Sequence, residues 1–384
     1  MSFPVPDTLI SPQENERADQ AVSRAQLLTR PDEWRELAER LPGTPALGLD
    51  TEFVRERTFF PRPGLVQLSD GERIWLLDPV AQSDFSGLES ALRDSETIKV
   101  LHSVGEDLEI FQLLTQTVPR PLFDTQIAAA MLGQPLQTRY ETLCETVFGV
   151  QLAGGQARSN WCKRPLAPEL LTYAAQDVIW LPRLQQVLSE SLEDRGRLEW
   201  LQEDCKRLVD RAEADEAGDP LVRVKGAGRL DDEALACLRA LAQWRDRQAR
   251  QRDLPRSFVM RDEPLLELAA AGRDPQRRAE AFGKLPERAR ARHRAALEAL
   301  LDEVDPSGFE RPAELHQLTP DQRQAIKLAQ NAVRTLAERL GVDPALIASK
   351  RELTKVVRGE RPDWLDGWRG PLLAEALAGI APGF

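Results

Sequence analysis

The chain has 384 residues, too many for one ordinary core and enough for two or three domains. Hydrophobic residues make up 42% and charged residues 29%, which excludes a disordered chain, and no apolar run approaches the ~18–20 residues of a bilayer span. The net charge of -11, from 62 acidic and 51 basic residues, argues against a general nucleic-acid coat protein. It leaves room for a nucleic-acid enzyme with a local basic face, and for carboxylates gathered around metal ions.

The N-terminal stretch MSFPVPDTLISPQENERADQ has neither a basic start nor an apolar core, so it is no secretory signal and a cytoplasmic location is expected by default. Residues 1–24 read as a loose polar leader. Trp34, Leu37, Ala38 and Leu41 fall at helical spacing, with Pro31 near the start and Gly43 past the end, which predicts a helix over 30–43. Three short apolar strands follow at 46–53, 65–69 and 73–77. Asp70-Gly71 is a hairpin signal between the last two, so an antiparallel meander is expected. Beyond it the pattern alternates: helix at 85–92, strand at 98–102, helix at 105–114, short strand at 122–123, then further helices. Alternation of this kind adds parallel strands to the sheet. Pro182 is expected to kink or split the helix that Pro168 begins.

The acidic stretch 212–219 reads as a linker. After it no strand signal remains, and amphipathic helices are predicted near 231–246, 263–271, 286–304, 319–340 and 344–357. Cys144, Cys162, Cys205 and Cys237 lie far apart with no C-x-x-C pair, which predicts free buried or half-buried thiols rather than zinc or disulfides.

The chemistry sits in carboxylates. Asp50 and Glu52 alternate on an apolar strand and so share a face. Two buried neighbouring acids repel and need a cation, and oxygen-only ligands suit Mg²⁺ or Mn²⁺. A strand end with solvated acids is the alternative from this pair alone. Asp107 lies where LHSVGED turns from strand into helix, a place where open α/β sheets hold ligands and where an acid also suits a helix N-terminus. Tyr173 and Asp177 stand at i and i+4 on one helix face, fit either for binding water and metal or for a structural hydrogen bond.

Taken in order, D-x-E, then Asp107, then Y-x-x-x-D resemble the three exonuclease motifs of the DEDD superfamily in its tyrosine-containing branch. The stretches LDTEFVRERTFFPRPGLVQLSDG, LHSVGEDLEIF, FDTQIAAAMLG and RSNWCKRPLAPELLTYAAQDVIWLPRL resemble the ribonuclease D family. LRALAQWRDRQARQRDLPRSFVMRDEPLLELA and, more faintly, LGVDPALIASKRELTKVV resemble the helical HRDC modules of that family. The resemblance implies an α/β ribonuclease-H-like exonuclease domain over 25–211, a mixed sheet flanked by helices, followed by two small all-α HRDC-type domains at 220–304 and 305–384.

It further implies a metal-dependent 3′→5′ exoribonuclease that trims tRNA precursors and other small structured RNAs and releases nucleoside 5′-monophosphates. Asp50, Glu52, Asp107 and Asp177 would hold two divalent ions, Mg²⁺ or Mn²⁺, ~3.5–4 Å apart. One ion, on Asp50, Glu52 and Asp177, would acidify a water, and the other, near Asp50 and Asp107, would stabilise the leaving 3′ oxygen. Tyr173 would orient the water. Its ordinary pKa of ~10 keeps it from being the base.

Further substrate contacts are expected from His102, at a strand end, and from Arg158, Lys163 and Arg164 around Trp161. Core packing and a solvated loop are their respective alternatives. Gln67 reads as a pairing residue inside the fold, and Asp124 as a helix N-cap rather than a fifth ligand. Residues 244–261 carry six arginines against two aspartates, and 273–294 carry seven arginines and one lysine against three acids, faces suited to an RNA backbone. A monomer without an obligate protein partner is expected. A DNA exonuclease of the same fold and a non-catalytic RNA-binding adaptor are the competing readings.

Overall fold

In the computed structural model, the described residues are 9–41, 43–156, 158–214 and 218–381. They divide into two compact units. One lies within residues 9–54, 61–214 and 324–381, and the other within residues 55–60 and 218–323.

The first unit is built on a six-stranded mixed sheet. Its strands are β1 (Gln26–Leu28), β2 (Ala46–Val54), β3 (Arg62–Ser69), β4 (Ile74–Leu77), β5 (Ile98–Leu101) and β6 (Leu122–Asp124), in the spatial order β1-β4-β3-β2-β5-β6. β2, β3 and β4 form the expected antiparallel meander. β5 adds parallel to β2, β6 parallel to β5, and β1 parallel to β4. Leu47, Leu49, Leu65, Leu68, Leu76, Val100 and Leu101 are almost wholly buried, which makes these strands the floor of the core.

Helices α1 (Pro12–Ser23), α2 (Pro31–Arg40), α3 (Ser86–Arg93), α4 (Asp107–Thr115), α5 (Thr125–Met131), α6 (Tyr140–Phe148), α7 (Pro168–Ile179), α8 (Leu181–Glu193) and α9 (Leu198–Glu213) surround the sheet. Pro182 splits the helical run as expected, because its ring cannot continue α7 and instead occupies the first turn of α8. The leader differs from its expectation. Residues 1–8 lie outside the described residues, but 12–23 fold as α1. A reciprocal Ser11–Glu14 capping box starts that helix, and Ala18 and Ala21 are buried. The linker expected at 212–219 also begins later, since α9 continues through Glu213.

In the second unit, α10 (Asp232–Gln251), α11 (Arg256–Val259), α12 (Asp262–Ala271), α13 (Pro275–Gly283) and α14 (Glu287–Glu303) close around Leu235, Leu238, Leu241, Leu265, Phe282 and Leu297. No strand occurs beyond residue 219 among the described residues. The hexapeptide 55–60 belongs here. Asp253 accepts hydrogen bonds from the Phe59 and Phe60 amides at 2.9 and 3.0 Å, and the Arg250 and Arg256 guanidiniums lie 5.0 and 4.6 Å from the Phe59 ring.

α15 (Pro320–Leu340) leads back to the first unit, followed by α16 (Pro344–Ile347), α17 (Lys350–Val357) and α18 (Arg369–Leu377). The single helix expected over 344–357 is two, because Ser349 and Glu352 form a second capping box that restarts the chain. Residues 324–381 belong with the sheet rather than with α10–α14. The Arg369 guanidinium grips Asp204 of α9 bidentately at 2.5 and 2.8 Å, both side chains under a tenth exposed. Trp368 stacks on Trp200 with ring centroids 4.4 Å apart.

Candidate active site

β2 carries the first two acids. Asp50 pairs across the ladder with Gln67, and Glu52 with Leu65, so period-2 alternation turns both carboxylates to one face. A register shift after Glu52 bends the end of the strand. α7 then crosses the sheet, packed on β2, β3 and β4. Its close approach needs Gly48, because a Cβ there would lie 2.9 Å from both Leu181 Cβ and the Val178 carbonyl oxygen. That approach brings Asp177 beside the strand, and ligand oxygens of Asp50, Glu52 and Asp177 lie within 4.8 Å of one another.

Asp107 arrives from the other side. Ser103 has a positive φ of 64°, and the Asp124 carboxylate holds the turn by accepting from the Ser103 and Val104 amides at 3.2 and 3.0 Å. The same carboxylate accepts from the Gln126 and Ile127 amides, the N-cap of α5 expected of it. Asp107 opens α4 and accepts a hydrogen bond from the buried Thr51 hydroxyl. It stands outside the closest cluster but near enough for its charge to bear on Asp50 and Glu52.

The electrostatics follow from burial among like charges. Burial first, then Asp107, Asp177 and Glu52, push the Asp50 carboxyl well above the usual range. Burial and the charges of Asp177 and Asp107 push Glu52 up to about 9. Asp107 and Asp177 both rise to about 7, chiefly by burial; Glu141 adds to the effect on Asp177, and the Thr51 hydrogen bond opposes it on Asp107. The charged neighbours acting on Asp50 are all acids, so the site lacks its compensating charge until a cation enters. Oxygen-only donors at this spacing fit a hard divalent ion. The Tyr173 hydroxyl opposes the rise at Asp177 and is itself pushed further up by burial and the surrounding acids, so it remains a phenol.

These groups line an open cavity of about 400 Å³. A larger cavity of about 600 Å³, between α1 and the start of α8, holds none of the four acids. Glu141 of α6 also faces the site, and nothing in its sequence spacing singles it out.

The expected substrate contacts divide. Arg158 and Lys163 are exposed, as a phosphate contact requires. Arg164 differs from its expectation. It binds Asp78 bidentately at 2.5 and 2.6 Å and spends its other donors on backbone carbonyls, so no N–H is left for a phosphate. His102 lines the cavity, with both ring nitrogens engaged within the protein. Its Nδ1 lies 2.8 Å from the Thr125 hydroxyl and its Nε2 2.9 Å from the Thr138 carbonyl. Burial holds the ring below its ordinary pKa, and Nε2–H donates to the Thr138 carbonyl. Gln67 is fully buried, with Nε2 3.4 Å from Asp50. All four cysteines are free.

Comparison with known proteins agrees with this geometry. Residues 25–193 match the 3′-5′ exonuclease family model, and residues 234–286 match the HRDC domain. Ribonuclease D of a Shewanella species is 34% identical over 97% of both chains. Ribonuclease D of Escherichia coli is 34% identical over 92% of this chain and 97% of its own. The crystal structure of the Escherichia coli enzyme, described as an exoribonuclease involved in structured RNA processing, superposes with a TM-score of 0.84 over 93% of this chain and 98% of that one. With its length matched almost from end to end and its four acids lining one cavity, the chain belongs to the ribonuclease D family of 3′–5′ exoribonucleases.

Proposed function

We propose that the chain hydrolyses RNA from the 3′ end with two divalent ions, Mg²⁺ or Mn²⁺, and releases nucleoside 5′-monophosphates. The observation that carries this reading is the convergence of Asp50, Glu52 and Asp177 within 4.8 Å, with Asp107 and Tyr173 beside them. Asp50, Glu52 and Asp177 would hold one ion, and Asp50 with Asp107 the other. Bound there, such ions supply Lewis-acid polarisation of a phosphate and lower the pKa of a water. The chain's own part is placement. Thr51 fixes Asp107, the Asp124 turn aims it, and Gly48 lets α7 bring Asp177 in. The Tyr173 hydroxyl, protonated and beside Asp177, orients the attacking water. The open cavity admits a single-stranded 3′ end. Tyr173 meets that end as a positioning group rather than as the base.

The proposed substrates are tRNA precursors with 3′ extensions and other small structured RNAs. The Escherichia coli relative's role in structured RNA processing supports this choice, as do the exposed Arg158 and Lys163 of the loop before α7 and the arginine-rich runs of the second unit. We further propose that the protein acts as a monomer in the cytoplasm, with 220–304 as a helical HRDC-type segment that contacts RNA.

Digestion of a 3′-extended tRNA with Mg²⁺ or Mn²⁺, with and without EDTA, tests the reading. Trimming should stop in EDTA. Asp177→Asn should abolish it while RNA binding survives. Wild-type hydrolysis that ignores the chelator would contradict the metal role.

A further inference from the structure

The loop before α7 carries a guanidinium whose hydrogen bonds are saturated. Arg164 Nε and Nη2 reach the two oxygens of Asp78 at 2.6 and 2.5 Å. Nη1 donates to the Trp161 carbonyl at 2.8 Å and the Lys163 carbonyl at 2.9 Å, and Nη2 donates also to the Gly64 carbonyl at 2.6 Å. All five N–H donors are thereby used. Asp78 follows the end of β4, its side chain is 3% exposed, and it also accepts from the Val80 and Ala81 amides, so it is a fixed anchor.

The staple has a consequence at the active site. It draws the loop onto β3 so closely that a Cβ on Gly64 would lie 2.6 Å from Trp161 Cβ. Trp161 is fully buried, and its ring lies 6.1 Å from that of Tyr173, tilted by 37°. Tyr173 is only half-buried, so the Trp161 ring forms a wall against which its phenol rests. Asp78, Arg164, Trp161 and Tyr173 therefore form a continuous series from the sheet to the hydroxyl beside Asp177.

We propose that Arg164 is a positioning residue for Tyr173, acting through Trp161, and contributes to the chemical step rather than to holding RNA. The inference rests on the reading of Tyr173 as the water-orienting group. Lysine keeps the charge but cannot reproduce a planar five-donor fork. A misplacement of the order of 1 Å at a reacting group costs roughly 10²-fold in rate.

The test is a double-mutant cycle in kcat between Arg164→Lys and Tyr173→Phe on a short single-stranded RNA, in the full chain, with RNA affinity measured separately in EDTA. Arg164→Lys should lower kcat by roughly 10- to 100-fold with KM and RNA affinity unchanged. In the Tyr173→Phe background the same substitution should cost less than about threefold, since the hydroxyl it positions is gone. Trp161→Leu leaves the guanidinium network in place and should show the same dependence on Tyr173, so it carries the cycle if Arg164→Lys does not fold. An equal loss in both backgrounds would reduce Arg164 to fold stability and overturn the proposal. A raised KM with unchanged kcat would overturn it in favour of a phosphate contact. A wild-type chain inert with Mg²⁺ and Mn²⁺ would instead refute the nuclease reading on which it rests.

Discussion

Gly48→Ala is a perturbation whose effect can be worked from distances. The added Cβ would lie 2.9 Å from Leu181 Cβ, 2.9 Å from the Val178 carbonyl oxygen and 3.2 Å from Pro182 Cδ. Ordinary contacts are ~3.5–4.0 Å, so the junction of α7 and α8 must retreat by roughly 0.5–1 Å. Two of the three obstructing atoms belong to the backbone or to a proline ring and cannot escape by changing rotamer. Overpacking of this kind costs about 1–3 kcal/mol, which lowers Tm by about 2–12 °C for a unit of this size. The catalytic effect should exceed the thermal one. Asp177 directly precedes Val178 and moves with it, whereas metal ligation tolerates only about 0.2 Å. We expect kcat to fall by roughly 10²-fold and the Mn²⁺ concentration for half-maximal activity to rise, with far-UV circular dichroism unchanged. Wild-type kcat and metal dependence together with the predicted Tm loss would show that α7 does not set the position of Asp177.

Two further outcomes follow from burial. Glu52 is raised to about 9 and Asp107 and Asp177 to about 7, all above their unfolded values near 4. A raised folded pKa contributes stability that is complete below the unfolded value and is lost as pH climbs through the folded one. In EDTA the protein should therefore lose stability from about pH 5 to 9. A bound cation favours the ionised acids, so the Tm gain on adding Mg²⁺ should widen from pH 6 to pH 9, and a gain equal at both pH values would contradict the cluster. Arg369→Met should cost about 3 kcal/mol, the low end for breaking a buried pair, because Arg207 and the Trp368 indole still donate to Asp204. A thermal melt and limited proteolysis of residues 324–384 check this, and an unshifted Tm would mean the pair contributes nothing.

What was legible in the sequence was local. Asp50 and Glu52 fall on one face because strand side chains alternate, and Tyr173 and Asp177 on one face because helical ones recur after four residues. The meander and the parallel additions likewise follow from turn residues and periodicity. β1 escaped because three residues carry no period, and α1 because its buried face is made of alanines, Ala18 and Ala21, too small to mark a stripe. α13 and α18 are nine residues each and went unrecognised for a related reason.

The harder failures share one cause: a polar side chain declares its partner only in three dimensions. Thr51 has the wrong strand parity to join Asp50 and Glu52, yet it reaches Asp107 because the strand ends in a bend and a chain segment 56 residues away comes to meet it. The charge of Arg164 beside a tryptophan in a loop reads as a phosphate contact, and only Asp78, 86 residues earlier, removes it from that role. Asp204 looks like one more acid on an amphipathic helix until Arg369 neutralises it and fastens the last helices to the sheet. Apolar residues announce burial through periodicity, because burial is what their pattern encodes. Charged residues do not, because the same arginine suits solvent, phosphate or a buried carboxylate, and its role depends on whether folding supplies the carboxylate.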